Sequence, residues 1–181
     1  RFVEMCEKCN VAFIGPSAEV ISRMGNKSEA KNTMRKAKVP VVPGTKEPVY
    51  TVEQALEAVK EIGFPVMIKA SAGGGGKGMR VAGNEQEFAK LFETAQQESV
   101  HSFSDNTMYL ERFVENPRHV EVQILADKYG NVVHLGERDC SVQRRHQKMI
   151  EESPCIAISD DLRKKMGETA VRAAKAAGYE S

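Results

Sequence analysis

The sequence lacks the features that mark several classes of protein. It has no apolar run near the roughly 20 residues that a membrane-spanning helix needs. Its 26 basic and 25 acidic residues give a net charge of +1, so no bulk field attracts nucleic acid or an anionic membrane. The opening "RFVEMCEKCNVAF" has neither a signal-peptide pattern nor an initiator methionine. We therefore expect neither a nucleic acid nor a membrane as a partner.

Cysteine is also scarce, with four in 181 residues, which indicates a reducing, cytoplasmic setting rather than a disulfide framework. Cys6 and Cys9 form one CxxC pair. A zinc site normally needs a second such pair or two histidines at suitable spacing, and the sequence offers none. We predict no metal site and expect the pair to lie on one face of a helix end, with metal or redox chemistry as the alternative.

The remaining composition, with 41% hydrophobic and 28% charged residues, is ordinary for a globular domain. Helix and strand patterns mix without a clean βαβ repeat, so we predict an α+β fold. Helix-capping signals stand at four positions: Ser17, Thr51, Asn84 and Ser159. Strands are predicted at 11–14 and in "PVMIKAS", "MRVA" and "TMYLERFV", with a hairpin formed by "HVEVQILAD" and "VVHLGERD".

The most unusual stretch is "KASAGGGGKGMR", residues 69–80. Each glycine costs about 0.5–1 kcal/mol relative to alanine in regular structure, so four together indicate a close backbone approach to a ligand, and Lys69 and Lys77 indicate an anionic one. Met79 and Arg80 stand where a Walker loop needs Lys and Ser or Thr, and no helix follows as a dinucleotide fingerprint requires. We predict a strand–loop–strand flap over phosphates, with a solvated hairpin tip as the alternative.

Two polar stretches follow. In "NPRHVEVQ", His119, Glu121 and Gln123 share one face of a strand, which favours a wet or ligand-filled cleft over an exposed edge strand. "ERDCSVQRRHQK", residues 137–148, crowds basic residues together. It has no interleaved aromatic residues for base stacking, so a small anion fits it better than nucleic acid.

Four motifs in this order resemble the biotin carboxylase component of biotin-dependent carboxylases: "MGNKSEAK", "KASAGGGGKGMRV", "YLERFVENPRHVEVQIL" and "ERDCSVQRRHQKMIEESP". The resemblance is nearest to the subunit of bacterial acetyl-CoA carboxylase, with pyruvate and propionyl-CoA carboxylases as alternatives. It implies an ATP-grasp fold with a lid subdomain. It also implies that MgATP phosphorylates bicarbonate to carboxyphosphate, which then carboxylates biotin on a carrier protein.

The same resemblance assigns nucleotide contacts. Lys27 and Lys69 match the lysines that contact ATP phosphates, and Gly75 and Gly76 lie in the flap. Glu111 matches the acceptor of the adenine amine, with three further residues of the hinge strand beside it: Arg112, Phe113 and Val114.

Four more residues are matched at the far side of the nucleotide. His119, Gln143 and His146 correspond to the ribose and phosphate side, and Lys148 corresponds to a bicarbonate-binding lysine. Cys140 is expected to pack near the nucleotide without reacting.

The resemblance also implies a division of the chain. Residues 1–25 would end an N-terminal α/β domain, 26–41 would be a linker helix, 42–113 the lid with its glycine flap, and 114–181 the start of the ATP-binding core. The family's magnesium-binding glutamates would lie beyond "GYES". We therefore expect a central piece, truncated at both ends, that does not turn over alone. A carboxyltransferase component and a homodimer are implied for the parent; a nucleotide-binding module without chemistry is the alternative.

Overall fold

A computed structural model of the chain describes residues 1–25, 27–71, 78–144 and 147–180, apart from the side chains of Lys27 and Ser28. Helices and strands are mixed throughout, which confirms the predicted α+β class. The chain forms two compact units, which we call the flanking unit (1–41 with 117–181) and the inserted unit (42–116). The division into four segments with the roles given above stays a prediction.

The inserted unit is a three-stranded antiparallel sheet with two helices. Its elements are α4 (Val52–Ile62), β1 (Val66–Ala70), β2 (Met79–Ala82), α5 (Glu85–Phe103) and β3 (Met108–Arg112). The strand order is β2-β1-β3, so β1 is central. Alternate residues of β1 are buried, as expected for a strand with one face on the core. The glycine loop connects β1 to β2, but residues 72–77 lie outside the described residues.

Predicted capping residues begin both helices of this unit. The Thr51 hydroxyl accepts from the Gln54 N–H at 3.3 Å, and the Asn84 side-chain oxygen Oδ1 accepts from the Glu87 N–H at 3.2 Å. These bonds satisfy N–H groups that the first helical turn leaves without an internal partner. The apolar faces of α4 and α5 cover the sheet, and Phe88 and Phe92 are fully buried there.

The flanking unit is built around a hairpin. Its elements are α1 (Phe2–Lys8), α2 (Ala18–Gly25), α3 (Lys27–Lys36), β4 (Val120–Ala126), β5 (Val132–Asp139), β6 (Gln143–Arg144), β7 (Gln147–Lys148) and α6 (Asp160–Ala177). The predicted hairpin is confirmed as β4 paired antiparallel with β5. Ser159 caps α6, as predicted, by accepting from the Leu162 N–H at 3.3 Å.

A bulge divides the hairpin. Val122 pairs with Glu137, whereas Ile124 pairs with His134, so β5 has one extra residue opposite Gln123. Gly136 occupies the bulge at φ +91°, a conformation that favours glycine. α6 packs against β5 and β4 and approaches His134 so closely that a Cβ on Gly167 would lie 2.5 Å from the imidazole ring.

Two predictions about local structure differ from the observed fold. The predicted strand at 11–14 is wrong, because these residues are loop and bend, and Ile14 is 94% exposed. An apolar run becomes a strand only with a hydrogen-bonding partner, and none of the described sheets includes this segment. The polar stretch after Ser141 adds a short ladder, β6 with β7, that the sequence pattern did not indicate.

Among the described residues, no helix combines the length and the apolar character needed to cross a membrane.

The buried aromatic pair in the inserted unit gives a test of its core. Phe88 is fully buried and contacts Phe64 and Phe92 at ring-centroid distances of 6.1 and 6.0 Å. Phe88→Ala should lower the free energy of unfolding by about 3–5 kcal/mol, measured by urea denaturation. Phe103→Ala at the end of the same helix, where the side chain is 37% exposed, is the control. Equal losses for the two variants would contradict the core assignment.

Candidate functional site

The polar face of the flanking unit is organised around Glu121 on β4. Its carboxylate accepts hydrogen bonds from Arg138 Nε at 3.0 Å and Arg138 Nη2 at 2.5 Å, and also from Lys148 Nζ. Arg138 extends further to Gln123 Oε1, at 3.1 Å. Glu151 approaches both cations, at 3.3 Å from Lys148 Nζ and 3.5 Å from Arg138 Nε. We call Glu121, Arg138, Lys148 and Glu151 the carboxylate cluster.

Charge pairing sets the protonation of this cluster. Hydrogen bonds from Lys148, and then from Arg138, lower the pKa of Glu121 from 4.5 to about 2. The hydrogen bond to Glu121 in turn raises the pKa of Lys148. The cluster therefore holds a carboxylate and a permanent ammonium group at neutral pH. The Lys148 side chain is 40% exposed, so its charge is accessible to a ligand in solution.

His119 is held beside the cluster by Gln143 and Cys140. The Gln143 amide nitrogen lies 2.7 Å from His119 Nδ1 and 3.0 Å from the Cys140 carbonyl oxygen, so its two hydrogens bridge these acceptors. Nδ1 then acts as an acceptor, which leaves Nε2 as the nitrogen that can donate to a ligand. The arrangement gives His119 a fixed ring orientation.

Cys140 is fully buried and its Sγ lies 3.1 Å from His119 Nδ1 and 3.2 Å from the His119 carbonyl oxygen. Burial raises the pKa of this thiol, so it remains protonated and packs rather than reacts. The structure thus brings together four residues that the sequence analysis had singled out: His119, Gln143, Cys140 and Lys148.

The opposite face of β5 carries two acids that anchor the segment following the cluster. Glu137, whose side chain is 3% exposed, accepts from Arg163 Nε at 2.8 Å and from the Cys155 N–H at 3.1 Å. Asp139 accepts from the Ser141 N–H at 2.9 Å, and its backbone pairs with Glu152. The hydrogen bond from Arg163 lowers the pKa of Glu137, so this buried carboxylate is ionised and paired.

Sequence reasoning did not select Glu121, Arg138 and Glu151 as site residues. Glu121 was recognised only as a member of a polar strand face, and Arg138 as part of a basic run. An available signal was the acidic pair Glu151 and Glu152 directly after that run, since neighbouring opposite charges favour pairing.

In the inserted unit, two predicted nucleotide contacts meet each other. Lys69 Nζ on β1 forms an ion pair with Glu111 Oε2 on β3. Met67 pairs directly with Glu111 in the ladder, so Lys69 reaches it diagonally across the same sheet face. The two side chains are 28% and 19% exposed, respectively. A phosphate ligand would therefore compete with Glu111 for the Lys69 ammonium group.

The hinge residues after Glu111 are partly engaged with the chain itself. The Arg112 N–H donates to the Pro43 carbonyl at 2.8 Å, and the Phe113 N–H donates to the Pro65 carbonyl at 2.9 Å. Val114 is 49% exposed. Backbone recognition of an adenine by Arg112, Phe113 and Val114 stays a prediction.

Several predicted site residues cannot be placed. Gly75, Gly76 and His146 lie outside the described residues, and Lys27 begins α3 but its side chain is also outside them.

A cavity in the flanking unit lies apart from the carboxylate cluster. Within the described parts of the chain, no three or more His, Cys, Asp or Glu side chains are grouped to hold a metal ion. A cavity of about 820 Å³ lies elsewhere in the flanking unit, lined by residues 11–17 and by Val3, Val20 and Lys128. Among the described residues, no predicted site residue lines this cavity, whereas His119, Gln143 and Lys148 lie in or beside the carboxylate cluster.

Comparison with known proteins supplies independent evidence. Residues 26–181 match the family described as carbamoyl-phosphate synthase L chain, ATP binding domain. The biotin carboxylase of Nostoc sp. is 56% identical over 99% of this chain and 40% of its own length. The chain therefore spans about 40% of the length of that relative.

Solved structures agree with the sequence comparison. A biotin carboxylase–β,γ-ATP complex from Campylobacter jejuni is 53% identical, with a TM-score of 0.87. The match covers 99% of this chain and 40% of the Campylobacter chain. A second similar structure is the biotin carboxylase domain of Hydrogenobacter thermophilus 2-oxoglutarate carboxylase, a dimer in complex with MgADP, ADP and bicarbonate. It is 48% identical, with a TM-score of 0.85, and the match covers 99% of this chain and 40% of that domain.

These likenesses confirm the resemblance to biotin carboxylases and the predicted ATP-grasp fold. The chain belongs to the family of the carbamoyl-phosphate synthase L chain ATP-binding domain, and its likeness to biotin carboxylases extends over 99% of its residues.

Proposed function

We propose that the chain is the nucleotide- and bicarbonate-binding part of a biotin carboxylase, an ATP-dependent ligase. In this reaction, a bicarbonate oxygen attacks the γ-phosphorus of ATP and ADP leaves, giving carboxyphosphate. Carrier-bound biotin then takes the carboxyl group at N1, and phosphate is released. The observation that carries the proposal is the carboxylate cluster, which holds an accessible ammonium group beside an oriented histidine.

Lys148 is the proposed bicarbonate contact. Its raised pKa keeps it cationic, and its ammonium group already lies between two carboxylates, Glu121 and Glu151. Bicarbonate is a planar oxyanion of the same kind as a carboxylate, so it can replace Glu151 at 3.3 Å while Glu121 keeps its bond. A fixed positive charge there stabilises the negative charge that develops on carboxyphosphate.

Glu121 acts in this proposal as a positioning residue. It binds Lys148 on one oxygen and Arg138 on the other, so the two cations are held apart at a set distance. Because the Glu121 pKa is about 2, it does not accept a proton near neutral pH and cannot serve as the general base there. Its role is to orient the cations that meet the anionic substrates.

Lys69, His119 and Gln143 are the proposed ATP contacts in the described residues. Lys69 stands on the central strand of its sheet, so its backbone is held rigidly. We propose that it exchanges Glu111 for a phosphate when ATP binds, which releases Glu111 to accept from the adenine amine. Lys27, Gly75, Gly76 and His146 complete the proposed nucleotide contacts, as do the hinge residues Arg112, Phe113 and Val114.

Magnesium would accompany ATP and neutralise charge on its phosphates. Among the described residues, no three or more His, Cys, Asp or Glu side chains are grouped to hold a metal ion, and no step of this chain runs through magnesium.

We further propose that the parent enzyme is the biotin carboxylase of acetyl-CoA carboxylase, acting in the cytoplasm in fatty-acid synthesis. The higher identity to the Nostoc biotin carboxylase, 56%, than to the 2-oxoglutarate carboxylase domain, 48%, supports this assignment. The partners would be a biotinylated carrier protein, a carboxyltransferase component and a second copy of the enzyme. Carboxyl transfer by the parent to acetyl-CoA rather than to pyruvate would test it.

ATP binding by this chain tests the nucleotide assignment. Isothermal titration should show saturable binding, and Lys69→Ala should weaken it about tenfold or more, because a hydrogen bond to a charged group contributes about 1.5–3 kcal/mol. Lys60→Ala is the matched control, since Lys60 pairs with Glu57 on the exposed surface of α4. Absence of ATP binding, or equal weakening by the two variants, would contradict the assignment.

The low pKa of Glu121 predicts a pH dependence of stability. In the unfolded chain the Glu121 pKa returns to its ordinary value, 4.5, whereas in the folded chain it is about 2. The stabilisation from ionised Glu121 is therefore complete above pH 4.5 and is lost as the pH falls towards 2. Glu121→Gln should destabilise the chain at pH 7, and the difference from the unmodified chain should shrink between pH 4.5 and 2.

Urea denaturation of both proteins across this range measures that difference. Glu57→Gln serves as the control, because its carboxylate lies in an exposed pair and should produce little difference at any pH. A Glu121→Gln difference that stays constant from pH 7 to 2.5 would show that the charge of Glu121 does not hold the cluster.

A further inference from the structure

The CxxC pair at the end of α1 is a sequence motif that the proposed function does not use. Cys6 and Cys9 are free thiols, and Cys9 is exposed while Cys6 is partly buried. The two other cysteines, Cys140 and Cys155, are buried. The chain therefore presents one accessible pair of thiols and two enclosed ones.

The backbone turn at this helix end sets the distance between the two thiols. The Cys6 carbonyl accepts from the Cys9 N–H at 3.1 Å and from the Val11 N–H at 2.8 Å. Residues three apart on a helix have Cα atoms about 5 Å apart, which lies within the range of about 4.4–6.8 Å that a disulfide requires. Their side chains also lie on the same face, because residues three apart on an α-helix are surface neighbours.

The surroundings do not add the ligands that a structural metal would need. In the regions that the structure describes, neither thiol belongs to a group of three or more His, Cys, Asp or Glu side chains. A tetrahedral zinc site normally takes four such ligands. Two thiols alone, close together and accessible through one of them, are suited instead to reversible oxidation.

We propose that Cys6 and Cys9 form a thiol–disulfide site that reacts with small disulfides such as glutathione disulfide. The Cys9 thiolate attacks one sulfur of glutathione disulfide, the sulfur–sulfur bond breaks, and one glutathione leaves as a thiolate that takes up a proton. The Cys6 thiolate then attacks the Cys9 sulfur of the mixed disulfide, and the second glutathione leaves in the same way. The protein dithiol is oxidised to one disulfide, and glutathione disulfide is reduced to two glutathione molecules.

The exposure of the two thiols gives the order of these steps. Cys9 is open to the incoming disulfide, whereas Cys6 needs only to reach its neighbour within the turn. The product fixes the connection between α1 and the 11–17 loop, because the Cys6 carbonyl already binds the first residue of that loop.

Peptide mapping of the oxidised chain tests the proposal. The full chain is incubated with glutathione disulfide, the remaining thiols are alkylated, and the protein is digested with trypsin. Lys8 stands between the two cysteines, so cleavage there gives peptides 2–8 and 9–23, which the new bond joins. We expect this linked pair as the main product, two glutathione molecules released per chain, and full reversal by dithiothreitol.

The variants Cys6→Ser and Cys9→Ser separate a reactive pair from two independent thiols. Cys6→Ser should retain glutathione on Cys9, because the second attack is lost, and Cys9→Ser should react more slowly than the unmodified chain. Circular dichroism checks that each variant is folded. If a variant does not fold, the linked peptides of the unmodified chain still test the proposal. Stable glutathione adducts on the unmodified chain, or no reaction at all, would overturn the proposal.

Discussion

Glu121 accepts hydrogen bonds from two cations that come from different parts of the chain, Arg138 on β5 and Lys148 on β7. Neither cation is held by an apolar core, since both lie on an open polar face. Their positions therefore depend on the ionised carboxylate between them, and the cations in turn keep it ionised. This mutual dependence explains how a short, polar ladder with little buried surface can present Lys148 in a defined place.

The two faces of β5 have different roles: Glu137 binds α6 on one face, and Arg138 binds the carboxylate cluster on the other. Glu137 ties β5 to α6 through Arg163 and to the following segment through Cys155. Arg138, one residue later, faces the carboxylate cluster. A buried ion pair contributes little net stability, because desolvation offsets most of the attraction. Its value here is geometric: it fixes the backbone from which Arg138 and Glu151 reach the cluster.

Local signals in the sequence predicted a large part of the fold. The caps at Thr51, Asn84 and Ser159 depend on residues three positions apart, and such signals can be recognised without tertiary structure. The strand predicted at 11–14 is wrong because a strand also needs a partner. The candidate site was only partly predictable for the same reason. Lys148 and Glu121 are 27 positions apart, and no local pattern indicates that they pair.

The bulge at Gly136 decides which face each residue of β5 occupies. Before it, His134 faces α6; after it, the odd-numbered Glu137 and Asp139 do so, and Arg138 faces the cluster. His134 and Glu137 are three residues apart and still share a face, because the bulge takes up the extra residue. Losing one residue between them would restore regular alternation and leave both side chains towards α6. Replacing Gly136 by a β-branched residue would instead force such a side chain into a positive-φ conformation. Related proteins with this hairpin should accordingly tolerate the loss of the bulge residue better than a β-branched residue in its place.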